Sequence, residues 1–142
     1  MLASNFQVLF KMTQSGSGTL IKREDLNFAL KFKDFTFAKF RHMCILSGCD
    51  YASSTRGIGL QRAITVLETA DNKGTQWAIT NMRELLHKPS LVILEGHYDM
   101  FEKADETFQH QPVFNPDSKR VVPVNGDVTN EFFLTNFLYR LL

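Results

Sequence analysis

Phe6-Gln-Val-Leu-Phe-Lys-Met12 is a short apolar run rich in β-formers, closed by the turn cluster Thr13-Gln-Ser-Gly-Ser-Gly-Thr19, and this pattern predicts a β-strand. Leu20-Ile-Lys22 reads as a second short strand, and Glu24 to Leu30 as a short helix with Leu26 and Leu30 on one face. A strand so near Met1 needs neighbours that little preceding sequence can supply, so Met1 is expected to be a cut edge. From Thr36 the apolar spacing changes to three- and four-residue steps, through Phe37, Phe40, Met43, Cys44 and Ser47. Thr36 is the expected N-cap and Gly48 the terminator. Phe40, Cys44 and Ser47 are expected to point one way, with Lys39 and Arg41 reaching solvent.

A second helix is predicted over 59–70, with Leu60, Ile64 and Leu67 as its buried stripe. Asp71-Asn-Lys-Gly74 is a turn, and Thr75 is expected to cap a third helix carrying Trp77, Ile79, Met82 and Leu86 until Pro89 breaks the pattern. A fourth helix covers 98–109, its apolar side formed by Phe101, Ala104 and Phe108. The run from Val113 to Val124 reads as a hairpin around Asn115-Pro-Asp-Ser118. The apolar segment 131–142 is expected to be either a helix or a segment awaiting a partner.

Composition narrows the class without naming a function. A chain of 142 residues with 44% hydrophobic content and 13 Phe can bury a core and fits one domain or part of a larger protein. A net charge of +1 leaves any nucleic-acid site to a local patch. No apolar run is long enough for a membrane span, and the start lacks the pattern of a signal peptide. Cys44 and Cys49 are expected as buried free thiols; a zinc site with His42 lacks a recognised ligand spacing. His42, His87, His97 and His110 show no catalytic spacing and are read as surface or capping residues.

The chemistry is concentrated in Phe40-Arg-His-Met-Cys-Ile-Leu-Ser-Gly-Cys-Asp50-Tyr and the following Ser54-Thr-Arg-Gly-Ile-Gly-Leu60. The carboxylate of Asp50 suits a hard divalent cation. Gly57 and Gly59 open a helix, where free N–H groups and the helix dipole favour a phosphate. Taken alone, each feature also has a plain reading. Asp50 is a common cap or turn residue, the glycines suit tight packing, Ser47 and Ser54 suit local turn bonds, and Arg56 and Arg62 suit a solvated surface.

The Ser-Gly-Cys-Asp-Tyr motif, the Gly-Ile-Gly turn and the preceding Phe-Arg-His-Met-Cys-Ile-Leu resemble the 5′ nuclease family of flap endonucleases and exonuclease 1, in wording nearest its exonuclease 1 branch. Weaker similarity runs from Val8-Leu-Phe-Lys-Met12 through Val113-Phe-Asn-Pro116. The resemblance implies an α/β fold. Residues 1–35 would be the C-terminal edge of a PIN-like nuclease sheet, 36–110 a helix–two-turn–helix DNA-binding region, and 111–142 a hairpin and apolar tail. It implies a fragment of a Mg²⁺-dependent 5′→3′ exonuclease or 5′-flap endonuclease, acting in the nucleus in mismatch repair and recombination. Asp50 would be a catalytic Mg²⁺ ligand, one of several carboxylates around two ions. Ser47, Ser54 and Ile58 would supply oxygens to a K⁺ ion. Arg56, Gly57, Ile58, Gly59 and Arg62 would contact DNA, with Lys31, Lys33, Lys39 and Arg41 widening the basic face.

The implied partner is duplex DNA with a 5′ end, nick or flap, with mismatch-repair proteins reached through regions outside this chain. With one of the several carboxylates that such a metal site needs, the chain alone is expected to be inactive. Three other readings stand beside it: a non-catalytic duplex-binding module, a flap endonuclease of replication, and a protein-interaction domain in which Gly-Ile-Gly is packing only.

Overall fold

The computed structural model describes residues 7–30 and 32–125, and the expectation for segment 131–142 lies outside them. It is a mixed α/β fold of several helices and two small antiparallel hairpins. The described residues divide into two units, 7–105 and 106–125. Among them, no helix is long and apolar enough to cross a membrane.

The first strand, β1 (Gln7–Phe10), finds its neighbour downstream in β2 (Thr19–Lys22), with Gln7 opposite Lys22 and Phe10 opposite Thr19. The turn between them closes through the Thr13 N–H on the Ser17 carbonyl at 2.8 Å, with Gly16 in the left-handed region at φ 82°. Helix α1 (Arg23–Leu30) follows directly, and the Asp25 carboxylate reaches back to the Lys22 N–H at 3.4 Å, half of a capping box.

Helix α2 (Phe37–Ser47) begins where Thr36 Oγ1 accepts the Lys39 N–H and ends at Gly48, φ 110°. Its buried side chains are Met43, Ile45 and Leu46, while Phe40, Cys44 and Ser47 are only half-buried. The expected face was therefore wrong by rotation. Lys39, Arg41, His42 and Ser47 are spread around this helix among its apolar residues, so spacing alone does not select a side, and packing against a neighbour does. That neighbour is α3 (Leu60–Ala70), which buries Ala63, Ile64, Val66, Leu67 and Ala70. Leu60, placed in the expected stripe, is 49% exposed because it stands at the helix's first position, level with the loop.

A 3₁₀ turn (Asp71–Lys73) leads into α4 (Gly74–Thr80), which starts one residue before the expected cap. Thr75 lies inside the helix, and its hydroxyl meets the His42 ring instead of capping. The expected single helix breaks at Asn81, whose side-chain amide donates to the Trp77 carbonyl at 2.8 Å, before α5 (Met82–Leu85) continues. Ala78, Ile79 and Met82 join the core. Helix α6 (His97–Gln109) buries His97, Phe101 and Ala104; Phe108 is half-buried.

In the second unit β3 (Pro112–Asn115) pairs with β4 (Arg120–Pro123) as a hairpin. The Asn115 side-chain oxygen accepts the N–H groups of Asp117 at 2.9 Å and Ser118 at 3.2 Å, the local bonding that makes Asn a turn former.

Candidate nucleic-acid interface

The segment joining α2 to α3 is a double turn built from local bonds. At Gly48 a Cβ would stand 2.8 Å from the Ser54 Cβ, so only glycine lets the two sides of the loop meet. Cys49 and Ala52 exchange backbone hydrogen bonds at 3.2 and 3.4 Å, leaving Asp50 and Tyr51 exposed at the tip. A second turn follows, closed by the Ile58 N–H on the Thr55 carbonyl at 2.9 Å. Gly57, third in that turn, has φ 91°, a conformation costly for residues with a Cβ. Gly59 then accepts the Ala63 N–H at 3.0 Å and starts α3.

The turn has a buried underside and an exposed rim. Thr55 and Ile58 are each 4% exposed, whereas Ser54, Arg56, Gly57 and Gly59 face solvent. A Cβ added at Gly59 would meet nothing within 4 Å, so its small size leaves open space above the first turn of α3. Arg62, one turn into α3, donates from Nη1 to the Gly57 carbonyl and holds its guanidinium beside the same rim. Backbone N–H groups, two arginines and a gap sized by glycine are what approach to a phosphate requires.

The sequence-predicted cation ligands lie at the end of α2, for Ser47, and in the segment that follows, for Ser54 and Ile58. Ser54 touches Gly48, next to Ser47, and Ile58 is tied to Thr55, next to Ser54. The Ser47 hydroxyl donates to the Cys44 carbonyl at 2.9 Å, which commits its proton and leaves lone pairs on oxygen. That donor chemistry fits a monovalent cation. The fit to two Mg²⁺ ions is different. Among the described residues no three His, Cys, Asp or Glu side chains come together, and one exposed carboxylate does not hold two such ions against their hydration.

The wider basic face loses Arg41, because Asp105 on α6 takes its guanidinium in a two-point bond, Nε to Oδ1 at 2.5 Å and Nη2 to Oδ2 at 3.2 Å. His42 joins them, with Nε2 3.3 Å from Asp105 Oδ1, Nδ1 3.1 Å from Thr75 Oγ1, and its ring edge-on to Phe101. Burial would push the Asp105 carboxyl up, but the hydrogen bonds from His42 and Arg41 outweigh it and hold the pKa down at about 2. Both ring nitrogens of His42 are thus engaged, which corrects its reading as a surface residue and leaves neither for a zinc ion. Cys44 and Cys49 are half-buried free thiols, less enclosed than expected; burial pushes the Cys44 thiol pKa up, with Cys49 adding to it, so thiolate reactivity is suppressed.

His97 is the other residue that spacing missed. It is 5% exposed, and its Nε2 lies 3.2 Å from the Thr55 hydroxyl under the second turn. Burial pushes its pKa down and favours the neutral ring. Forty-odd residues of intervening chain hide such a pair from any local pattern; only a His beside the Gly96 bend hinted at a fixed position.

No protein-family model matches the chain. Exonuclease 1 of Danio rerio is 40% identical over 120 residues, covering 84% of this chain and 15% of that protein. Exonuclease 1 of Xenopus laevis is 38% identical over 120 residues, covering 84% of this chain and 16% of that protein. Exodeoxyribonuclease 1 of Schizosaccharomyces pombe is 37% identical over 121 residues, covering 81% and 19%. The chain therefore spans between 15% and 19% of the length of these relatives.

Proposed function

Since the chain is homologous over most of its length to the exonuclease 1 and flap endonuclease 1 family of 5′ nucleases, we propose that it is the duplex-gripping segment of a 5′→3′ exonuclease or flap endonuclease. The observation that carries this reading is the double turn between α2 and α3, with Thr55 and Ile58 buried beneath and Arg56, Gly57 and Gly59 exposed above. Arg56 and Arg62 neutralise phosphates, the N–H groups at the start of α3 receive one, and no base edge is read. Ser47, Ser54 and Ile58 supply oxygens to a K⁺ ion at the turn. Residues 1–35 form the edge of a larger PIN-like sheet, 36–110 the DNA-binding region, and 111–142 a hairpin and tail.

Asp50 would be one carboxylate of a Mg²⁺ site that the described residues do not complete. The substrate is duplex DNA with a 5′ end, nick or flap, and the setting is mismatch repair and recombination in the nucleus. A second reading, a duplex-binding module without chemistry, rests on the single exposed carboxylate of Asp50.

Affinity for duplex DNA is the direct test. Each phosphate neutralised contributes about −0.9 to the slope of log K against log salt, so Arg56, Arg62 and one lysine give roughly −2 to −3. Fluorescence anisotropy across a salt series reads this slope, and affinity that ignores salt or follows base sequence rules the backbone grip out. Hydrolysis tests whether the chain carries a complete site, since both readings expect the isolated chain to be inactive. The isolated 142-residue chain is expected to leave 5′-recessed duplex intact in Mg²⁺. Degradation abolished by Asp50→Ala would mean that this chain carries a complete site.

A further inference from the structure

We infer that His97 and Thr55 are positioning residues for the phosphate-facing turn, a buried polar clasp that fixes residues 54–59 from α6; this rests on the duplex-gripping reading above. The turn is anchored to the core at two side chains, Ile58 and Thr55. Ile58 is held by apolar contact, which fixes depth but not orientation. The Thr55 hydroxyl is held by a directional bond to His97 Nε2 at 3.2 Å, in surroundings that exclude water. The backbone then passes this constraint on, since the Thr55 carbonyl accepts the Ile58 N–H at 2.9 Å and so defines the turn that exposes Gly57.

The clasp sits on a rigid base. His97 is at the start of α6, whose N–H bond to the Leu94 carbonyl at 3.2 Å and buried Phe101 and Ala104 hold the helix in the core. Burial favours the neutral ring, which matches a hydroxyl partner better than a charged one. The other ring nitrogen, Nδ1, is buried without a hydrogen-bond partner among the described residues, so the Thr55 bond is the one polar tie of this imidazole within them. A buried ring with one tie is strongly committed to it, because losing that partner strands a second nitrogen away from water. Arg56 follows Thr55 directly, so the direction of its side chain into solvent depends on the same fixed point.

The test uses the full chain and four variants: Thr55→Val, Thr55→Ser, His97→Phe and the Thr55→Val/His97→Phe pair. Amide hydrogen exchange, thermal melting and anisotropy with a blunt duplex oligonucleotide are read on each. Thr55→Val keeps the volume and removes the hydroxyl. It is expected to speed exchange at Ile58 and its neighbours in 54–59 at least tenfold, leave the amides of α2 and α3 protected, and weaken duplex binding about tenfold. Thr55→Ser restores the hydroxyl and is expected to stay within twofold of the parent in both readouts. The double variant replaces both polar partners by apolar groups and recovers much of the melting temperature, since no nitrogen is stranded.

Parent-like exchange and affinity in Thr55→Val overturn the inference, as does a loss spread evenly over the whole chain, which would make the pair a general stabiliser. Unfolding of Thr55→Val leaves the decision to Thr55→Ser and the double variant. A double variant that melts like the parent but exchanges faster in the turn supports the clasp, and one that matches the parent in both overturns it. If the parent itself binds no duplex, the DNA reading fails, while the exchange data still decide the clasp.

Discussion

Ile58→Ala is expected to destabilise the folded chain by about 2–5 kcal/mol, the range for truncating a buried aliphatic side chain. Ile58 is 4% exposed and holds the double turn to the core, so its loss opens a cavity under a loop with little other apolar anchorage. Any loss of DNA affinity in this variant follows unfolding and disappears when binding is corrected for the folded fraction. Gly59→Val behaves in the opposite way. A Cβ at that position meets nothing within 4 Å and the backbone is not left-handed there, so the fold accepts the side chain. On the proposed backbone grip the new side chain occupies the space a phosphate needs to reach the N–H groups of α3, and duplex affinity is expected to fall at least about tenfold, on the order of 1.4 kcal/mol, comparable to a charged hydrogen bond. Thermal melts and anisotropy on the two variants check both halves. Duplex binding by Gly59→Val equal to that of the parent would reduce the Gly-Ile-Gly turn to packing and remove the ground for the DNA reading.

Asp105→Asn is expected to cost about 2 kcal/mol at neutral pH. The carboxyl titrates at about 2 in the folded chain against 3.8 for the free group, and each unit of difference corresponds to about 1.4 kcal/mol. Both partners of the Arg41 bond are mostly shielded, with side-chain exposures of 20% and 17%, so solvent screening removes little of this. The folded pKa lies below the unfolded one, so the contribution is complete above about pH 4 and fades as pH falls toward 2. Denaturant melts of parent and variant should differ by about 2 kcal/mol at pH 7 and converge near pH 2. A gap that persists unchanged at pH 2 would assign the effect to packing of α2 on α6 in place of charge.

The sequence carried the places where the chain changes course. Thr36 caps α2 with its own hydroxyl, Gly48 ends it in a conformation other residues avoid, and Asn115 folds the second hairpin on its own side chain. Each device acts within three or four residues, so a local pattern contains it. The strong period of α3 also gave Ile64 and Leu67 correctly. The period of α2 was too weak to choose a face, and a local reading placed Thr75 as a cap when its hydroxyl bonds to His42, far back in the chain.

The candidate site divides in the same way. The Gly-Ile-Gly turn, with Arg56 and Arg62 beside it, was legible because glycine at the start of a helix has a backbone meaning whatever surrounds it. Sequence alone therefore determined where the double turn lies and which of its backbone positions carry no side chain. Tertiary structure alone decided which polar side chains are spent inside the fold. Arg41 and His42 lie with Asp105, and Thr55 lies with His97, across separations over which no local preference acts. Burial sets those choices: a charge or an imidazole removed from water must find a partner, and which partner is within reach depends on how α2 and α6 come to lie in the core.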